Sequence, residues 1–260
     1  MKIGAVICIY DDIEYLSSCI SGIVKNVEKI YFLISTKPWF GKPSNNSTVI
    51  YYIKDLCKSF DNCEYYIQEW DTEPQQRNYG MYLGQIDEMD YVLQVDSDEI
   101  YSTNDFSAIR KFIYDNQQYD SFYVHFYTYW KKWYFRIDPP ENLVPILAAR
   151  PTKFFFQKAR NGVCPMSSVA IIPREVGVCH HMSYARSDVS IKRKIETFSH
   201  ADEILKSWYN DVWLRWTPEM ENLYPVKPSN YKRAIKVDPK ELPLHLRTVM
   251  SYRSDELLSE

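Results

Sequence analysis

The sequence predicts an α/β fold in which a mostly parallel central sheet is flanked by helices. Apolar runs that suit buried strands alternate with segments of helical periodicity through the first hundred residues, in the order β-α-β-α-β-α-β. Several of these runs end in polar residues, as at the carboxyl edge of a parallel sheet. A charged amphipathic helix is expected from Asp188 onward. We therefore expect a first domain over residues 1–187 and a helical C-terminal extension over residues 188–260 packed on it.

The first half of the chain gives the clearest elements. Residues 3–10 (IGAVICIY) form a continuous apolar run typical of a central strand, and residues 13–25 carry an apolar face at helical spacing. Residues 37–46 are rich in Pro, Gly, Ser and Asn and predict a loop. The remaining strands are predicted at residues 29–35, 63–69 and 90–95, and the remaining helices at 48–60, 73–89 and 105–118.

The second half of the chain is less periodic. Residues 120–135 are an aromatic-rich β segment, and a proline-rich turn follows at Asp138-Pro139-Pro140. Short strands are predicted at residues 153–157 and 168–172. The charged amphipathic helix is expected to run from Asp188 to about Tyr209.

Composition narrows the class of protein. The 260 residues carry a formal net charge of -3, with 45% apolar and 16% aromatic residues, which is enough for a sizeable core. The slightly acidic balance gives no strong nucleic-acid signal, since proteins that bind duplexes usually show a basic surplus. No stretch reaches the roughly 18 apolar residues of a transmembrane segment, and the N-terminal run is too short for a signal peptide. We expect a cytoplasmic protein, and a homo-oligomer is compatible with the sequence.

Two acidic residues follow the fourth predicted strand. Asp96 and Asp98 stand two positions apart, so their side chains can face the same side. Two carboxylates in this arrangement attract a hard divalent cation, Mn²⁺ or Mg²⁺, which can bridge the phosphates of a nucleoside diphosphate. An acidic turn at a strand end without metal is the common alternative.

This arrangement resembles the family 2 glycosyltransferases. The resemblance lies in the strand ending VDSDE and in the preceding helix with Arg77-Asn78-Tyr79-Gly80, and it covers about residues 3–200. It is nearest to bacterial transferases that decorate lipopolysaccharide cores and other surface glycans. It implies a GT-A (Rossmann-like) fold and a nucleotide-sugar donor. Asp96, Ser97 and Asp98 would then hold the metal and diphosphate, and Arg77 would lie beside the donor.

Further donor contacts are expected where the first two strands end. The candidates are Ile9, Tyr10 and Asp12 after the first strand, and Thr36 and Trp39 after the second. Many family members carry an Asp-rich turn at the second position, whereas this chain has Ser35-Thr36-Lys37-Pro38-Trp39. Trp39 could stack on a base or pack on the domain.

A histidine pair lies in the segment Cys179–Arg186. The family often supplies a late histidine to the metal, in a pattern similar to His-x-Ser-Tyr-x-Arg-Ser, which implies His181 rather than His180. Arg186 or Lys192 would then contact the diphosphate. The alternatives are a histidine bonded to backbone, and a zinc site with Cys179 and Cys164, for which no regular ligand spacing is present.

An inverting transferase also needs a carboxylate that deprotonates the acceptor. Asp138 and Glu141 are the candidates for this catalytic base, and Glu175 is a third. For each of them taken singly, a solvated surface carboxylate is the commoner case, and a retaining mechanism would need no base. Trp130, Trp133 and Tyr134 could line an acceptor groove, although such aromatic stripes more often form core.

The sequence therefore predicts a metal-dependent transferase that moves a sugar from a nucleotide-sugar, UDP-sugar in the first place, to a glycan or other hydroxyl acceptor. One alternative acceptor is phage DNA carrying a hydroxylated base. A non-catalytic carbohydrate-binding protein with Ca²⁺ at Asp96 and Asp98 is another alternative. A nucleotidyltransferase would usually need a glycine-rich phosphate loop, and none of the seven glycines lies in such a pattern.

Overall fold

The computed structural model describes residues 1–163, 168–197 and 201–248. The strands in these residues, numbered in chain order, are β1 (Ile3–Ile9), β2 (Lys29–Ser35), β3 (Cys63–Gln68), β4 (Tyr91–Gln94), β5 (Glu99–Ile100), β6 (Ser121–Tyr123), β7 (Phe126–Trp130), β8 (Lys132–Asp138), β9 (Ile146–Ala149), β10 (Phe155–Lys158), β11 (Asn161–Val163), β12 (Val169–Ile171), β13 (Cys179–Tyr184) and β14 (Arg233–Lys236). The α-helices are α1 (Leu16–Ile23), α2 (Ser47–Ser59), α3 (Glu73–Ile86), α4 (Thr103–Asp115) and α5 (Asp188–Thr197). The predicted alternation of strands and helices is thus confirmed through α4.

Seven strands form the central sheet in the order β12-β6-β9-β4-β1-β2-β3. Strand β1 pairs in parallel with β2 and β4, β2 pairs in parallel with β3, and β6 pairs in parallel with β12. Strand β9 runs antiparallel to both β4 and β6. The predicted α/β class, with a mostly parallel sheet flanked by helices, is confirmed.

Strand β1 is apolar along its whole length because both faces of the sheet are covered. Ile3, Ala5 and Ile7 belong to the core that includes residues of α1, α2 and α4. Val6 and Cys8 belong to a second core, to which α3 contributes. Neighbouring residues of a strand point to opposite faces, so a strand between two cores needs an unbroken apolar run.

Helix α3 packs very close to the sheet through two glycines. A Cβ atom at Gly80 would lie 2.5 Å from Cγ2 of Val6, and one at Gly84 would lie 2.2 Å from Cγ2 of Val92. Only a residue without a side chain permits this approach. The helix thereby brings Arg77, one turn before Gly80, into contact with Asp96 just beyond β4.

A second sheet of five strands has the order β14-β8-β7-β13-β5. Strand β13 runs parallel to β7 and antiparallel to β5, and it pairs His181 with both Thr128 and Glu99. The predicted β segment over residues 120–135 is confirmed as β structure. It consists of three strands divided between two sheets, because the chain leaves the central sheet after β6 and enters the second one at β7.

The C-terminal region contributes to this second sheet. The helix that begins at Asp188 is described as far as Thr197, and the predicted continuous helix to about Tyr209 is wrong, because Ala201–Glu203 form a 3₁₀ turn. Residues 201–248 contain short 3₁₀ and π turns and strand β14, which pairs antiparallel with β8. Among the residues described, no helix is long and apolar enough to cross a membrane. The domain division at residue 187 stays a prediction.

Candidate functional site

A cavity of about 920 Å³ lies at the carboxyl ends of β1 and β4. Most of the residues expected to bind donor, metal or acceptor line it, namely Ile9, Tyr10, Asp12, Trp39, Arg77, Asp96, Ser97, Asp98, Glu141, His181 and Arg186. Trp39 is fixed there, because its Nε1 donates a hydrogen bond to Oε1 of Gln76 at 2.8 Å. The polar residues that were predicted to meet at the strand ends thus line one cavity.

Several predicted residues lie elsewhere. Lys192 and the acceptor-groove candidates Trp130, Trp133 and Tyr134 are outside the cavity lining, and Trp130 is buried in a core cluster with Trp208 and Trp213. Thr36 is exposed and outside the cavity lining, and so is Glu175. Asp138 ends β8 and accepts hydrogen bonds from Nε and Nη2 of Arg233 at 2.8 and 2.7 Å, across the pairing of β8 with β14. The structure therefore does not bring Asp138 to the cavity, and the predicted role of this carboxylate as a base has no geometric support.

Asp96 is held by two arginines. Its Oδ1 lies 2.8 Å from Nη2 of Arg77, and its Oδ2 lies 3.3 Å from Nη1 of Arg160. Arg77 is fully buried and also donates from Nε to Glu73 of its own helix at 2.8 Å. Burial raises the pKa of the Asp96 carboxyl, but the two guanidinium groups outweigh burial and hold this pKa below its usual range.

Asp98 contacts three further groups. Its Oδ2 lies 2.9 Å from Nη2 of Arg186 and 3.1 Å from Nζ of Lys194, and its Oδ1 lies 3.7 Å from Nε2 of His181. Burial opposes the charge, but Lys194, His181 and Arg186 together hold the pKa of Asp98 well below its usual range. Asp98 is therefore ionised at neutral pH. Arg186 also reaches back to Asp12 after β1, at 2.6 Å.

Arg160 was not predicted from the sequence. It lies in the turn between β10 and β11, forms an ion pair with the fully buried Glu99, and donates to the carbonyls of Gln94 and Ile146 at 2.6 and 3.0 Å. Burial raises the pKa of Glu99 to about 7 despite this partner. Arg160 therefore ties the end of β4 to β9, and it neutralises charge beside Asp96.

The two adjacent histidines point to opposite sides of β13. His181 lines the cavity and packs on the ring of Phe126 at 4.6 Å, whereas Nδ1 of His180 lies 2.9 Å from the hydroxyl of Tyr129. Burial lowers the pKa of His181 to about 4, outweighing the opposite effect of Asp98. His181 is therefore neutral at pH 7, which is the form of imidazole that binds metals.

Glu141 is the one predicted base in the cavity. It is buried, and its Oε1 accepts a hydrogen bond from the hydroxyl of Thr128. Burial raises the pKa of Glu141 to about 7, and the hydroxyl groups of Thr128 and Tyr231 oppose that rise. A carboxyl with this pKa exchanges protons readily near neutral pH.

The expected metal ligands fit a divalent cation in part. Nε2 of the neutral His181 lies 3.7 Å from Oδ1 of Asp98, and carboxylate with imidazole suits Mn²⁺. Both oxygens of Asp96 are instead engaged by arginines. No group of three or more metal-ligating side chains occurs within residues 1–163, 168–197 and 201–248. Cys179 is a buried free thiol, and its suggested zinc partner Cys164 lies outside the described residues.

Neither a protein-family model nor a curated protein matches the chain. Among solved structures, S. aureus TarS is similar at 12% identity and a TM-score of 0.45, over 82% of this chain and 43% of that chain. The structure of S. aureus TarS 1–349 is similar at 11% identity and a TM-score of 0.43, over 82% and 75% of the two chains. The structure of S. aureus TarS 1–349 in complex with UDP-GlcNAc is similar at 12% identity and a TM-score of 0.45, over 73% of this chain and 61% of that chain.

The chain thus spans less than half the length of the first of these structures, at 43%. A likeness of this size supports no assignment of family or activity. The resemblance to the family 2 glycosyltransferases therefore stays a prediction, as do the cytoplasmic location and the homo-oligomer.

Proposed function

We propose that the protein is a glycosyltransferase that moves a sugar from a nucleotide-sugar to a hydroxyl acceptor with the help of Mn²⁺ or Mg²⁺. One observation supports this most. A cavity at the carboxyl ends of parallel strands combines the ionised carboxylates Asp96 and Asp98 with the neutral His181 and several buried basic groups. Such a set of groups suits a diphosphate held together with a divalent cation.

Asp98 and His181 would hold the metal, which, when bound, neutralises charge on the departing diphosphate. Arg186 and Lys194 already lie on Asp98, so they would face a diphosphate at the same place and add charge-assisted hydrogen bonds. Asp96 would join the ligand set by giving up Arg77 or Arg160.

Glu141 would be the base that accepts the proton of the acceptor hydroxyl in an inverting transfer. Its carboxyl lines the same cavity and has a pKa of about 7, so it takes up a proton without a large penalty. The adjoining lining includes Leu143, Tyr224 and Tyr231, whose apolar and aromatic surfaces suit a sugar ring. A glycan or another hydroxyl compound would bind on this side.

Thermal unfolding with nucleotide-sugars tests the proposal. UDP-, GDP-, CMP- and dTDP-sugars, UDP-GlcNAc among them, are each added with and without Mn²⁺. A donor at a hundred times its Kd stabilises the fold by about 2.7 kcal/mol, which raises the Tm of a chain of this size by roughly 5–10 °C. We expect such a shift with one nucleotide class, and only when Mn²⁺ is present.

The same experiment separates the alternatives. A shift with free glycans and Ca²⁺ but with no donor would replace the enzyme by a carbohydrate-binding protein. A shift with a donor in EDTA would keep the transferase and remove the metal from it. No shift with any donor at millimolar concentration would overturn the proposed function.

A further inference from the structure

We infer that Thr128 is a positioning residue, which holds His181 in the tautomer whose Nε2 lone pair faces Asp98. Its purpose rests on the proposed function, since a lone pair aimed at Asp98 serves a cation between the two. The geometry that carries the inference does not depend on the metal. It consists of three side chains joined in a row, Glu141, Thr128 and His181.

Thr128 and His181 are neighbours across two strands. Strand β7 pairs in parallel with β13, and the register sets Thr128 opposite His181. Residues opposite each other in a sheet direct their side chains to the same face, so the hydroxyl and the imidazole lie side by side. Thr128 is fully buried, which leaves its hydroxyl only protein partners.

When Glu141 is ionised, the hydrogen bonds of this row place the proton of neutral His181 on Nδ1. A threonine hydroxyl carries one proton, and Thr128 donates it to Oε1 of the ionised Glu141, which Tyr231 also contacts. The hydroxyl oxygen then has only lone pairs for Nδ1 of His181, which lies 3.3 Å away. Contact at that distance is favourable when Nδ1 carries the ring proton. A neutral imidazole has one such proton, so Nε2 is left with a lone pair.

That lone pair faces an acceptor. Nε2 of His181 lies 3.7 Å from Oδ1 of Asp98, an oxygen of an ionised carboxylate. Two acceptors that face each other repel unless a cation lies between them. In the Nδ1-protonated tautomer, Nε2 of His181 is therefore free to bind a cation. In the opposite tautomer, Nε2 would carry the proton and direct it at Asp98. Partners of this kind behind a metal-binding histidine typically change metal affinity by about 10–100-fold.

Thr128→Ser and Thr128→Val form the matched pair that tests the inference. Serine keeps the hydroxyl, whereas valine keeps the branched shape and loses it. Ser121→Ala is the control for losing a buried hydroxyl in a strand outside the cavity, because Oγ of Ser121 has no hydrogen-bond partner. Circular dichroism and thermal unfolding establish that each variant folds.

The first readout is the tautomer itself, observed by ¹⁵N NMR of the histidine rings in the metal-free wild-type protein at about pH 8, where Glu141 is ionised. His181→Asn identifies the resonances of His181. We expect the Nδ1-protonated form in the wild type and in Thr128→Ser, and a mixture or the Nε2-protonated form in Thr128→Val. An Nε2-protonated ring in the wild type overturns the inference, whatever the protein binds.

The second readout is Mn²⁺ affinity, measured by electron paramagnetic resonance with Mn²⁺ as the only ligand. We expect Thr128→Val to weaken binding about 10–100-fold, while Thr128→Ser and Ser121→Ala stay near wild type. Equal affinity in Thr128→Val and wild type overturns the inference and leaves the proposed function intact. A wild type without Mn²⁺ binding overturns the metal in the proposed function, and the NMR result still decides the tautomer.

Discussion

The two sheets reach the cavity by different routes. The central sheet brings Asp12 and Asp96 there from the ends of β1 and β4, strands whose apolar runs are visible in the sequence. The second sheet brings Thr128 and His181 there by pairing strands whose contacting residues lie 53 positions apart. Local periodicity therefore locates one half of the site, and long-range strand pairing determines the other.

The two halves also differ in charge. On the central side, Asp96 is ionised and held by Arg77 and Arg160. On the second-sheet side, burial keeps His181 neutral and raises the pKa of Glu141 to about 7. Asp98 lies at the junction and touches groups from both β13 and α5. In the proposed function the charged wall, formed by Asp96 with Arg77 and Arg160, would bind the donor. On the neutral wall, formed by His181 and Glu141, His181 would hold the metal and Glu141 would serve the acceptor.

We expect the largest effect from Asp98→Asn, a substitution at the residue where the two halves of the site meet. This change removes the anion shared by Arg186, Lys194 and His181. We expect transfer to fall by about a thousandfold, as when a main electrostatic contact to the transition state is lost. The Mn²⁺-dependent rise in Tm with donor should disappear as well. Retention of that rise in the folded variant would contradict the assignment of Asp98.

On the neutral wall, Glu141→Gln should lower kcat by on the order of a hundredfold and leave donor KM nearly unchanged. The amide keeps the size of the side chain but cannot take up the acceptor proton. Steady-state kinetics with saturating donor measures the split. A kcat equal to that of the wild type would remove Glu141 from the reaction and would favour a mechanism without a protein base.

The pH dependence follows from the same carboxyl. A base must be deprotonated, and burial raises the pKa of Glu141 to about 7. We therefore expect kcat of the wild type to rise by about tenfold per pH unit below pH 7 and to level off above it. The residual activity of Glu141→Gln should lack this rise. A wild-type profile that is flat between pH 5 and 8 would contradict the prediction.

Gly80→Ala tests the close packing of helix α3 against strand β1 of the central sheet. The added methyl group would lie 2.5 Å from Cγ2 of Val6 in a closely packed helix and sheet, so we expect a loss of about 1–3 kcal/mol in unfolding free energy. Urea denaturation measures it. Gly4→Ala is the control, since its Cβ would meet the Tyr31 ring and the Met89 side chain at 3.0 and 3.3 Å. An equal loss at both glycines would argue against the close approach of α3.

The smallest effect is expected at Asp138, a carboxylate that was predicted from the sequence to be a base. Its partner Arg233 is half exposed, and exposed ion pairs typically contribute about 0–1 kcal/mol. Asp138→Asn should therefore change unfolding free energy by less than about 1 kcal/mol and leave kcat unchanged. A large loss of kcat would return Asp138 to the catalytic site.

The sequence predicts the central sheet well because its strands lie between two cores. The run Lys29–Ser35 was predicted with its observed bounds, and β1 within one residue. Strand β9 was missed although it lies between β4 and β6, because its place is defined by antiparallel pairing with two strands that are distant in the sequence. Strands β5 and β13 were missed for a related reason, since each is defined by pairing with a distant partner.

The site was predictable to a similar degree. Asp96, Asp98 and His181 were expected together, and all three line one cavity. Arg160 and Lys194 were missed, because a single basic residue in a turn or on a helix looks the same whether it faces solvent or a buried carboxylate. Only the folded chain reveals that both meet acidic partners at the ends of the strands.

The pairing of β5 with β13 makes the length of one short segment critical. The carbonyl of Asp98 accepts a hydrogen bond from the amide of Met182 at 2.8 Å, and the next residue, Glu99, pairs with His181. Inserting or deleting one residue between Asp98 and Ile100 would shift this register by one and turn the side chains of β5 to the opposite faces. Strand β13 would keep its pairing with β7, so His181 would stay in the cavity while the Asp98 carboxylate would be displaced relative to it. We therefore expect the segment from Asp98 to Ile100 to tolerate substitutions better than insertions or deletions. Homologous chains would then vary here in side chains and not in length.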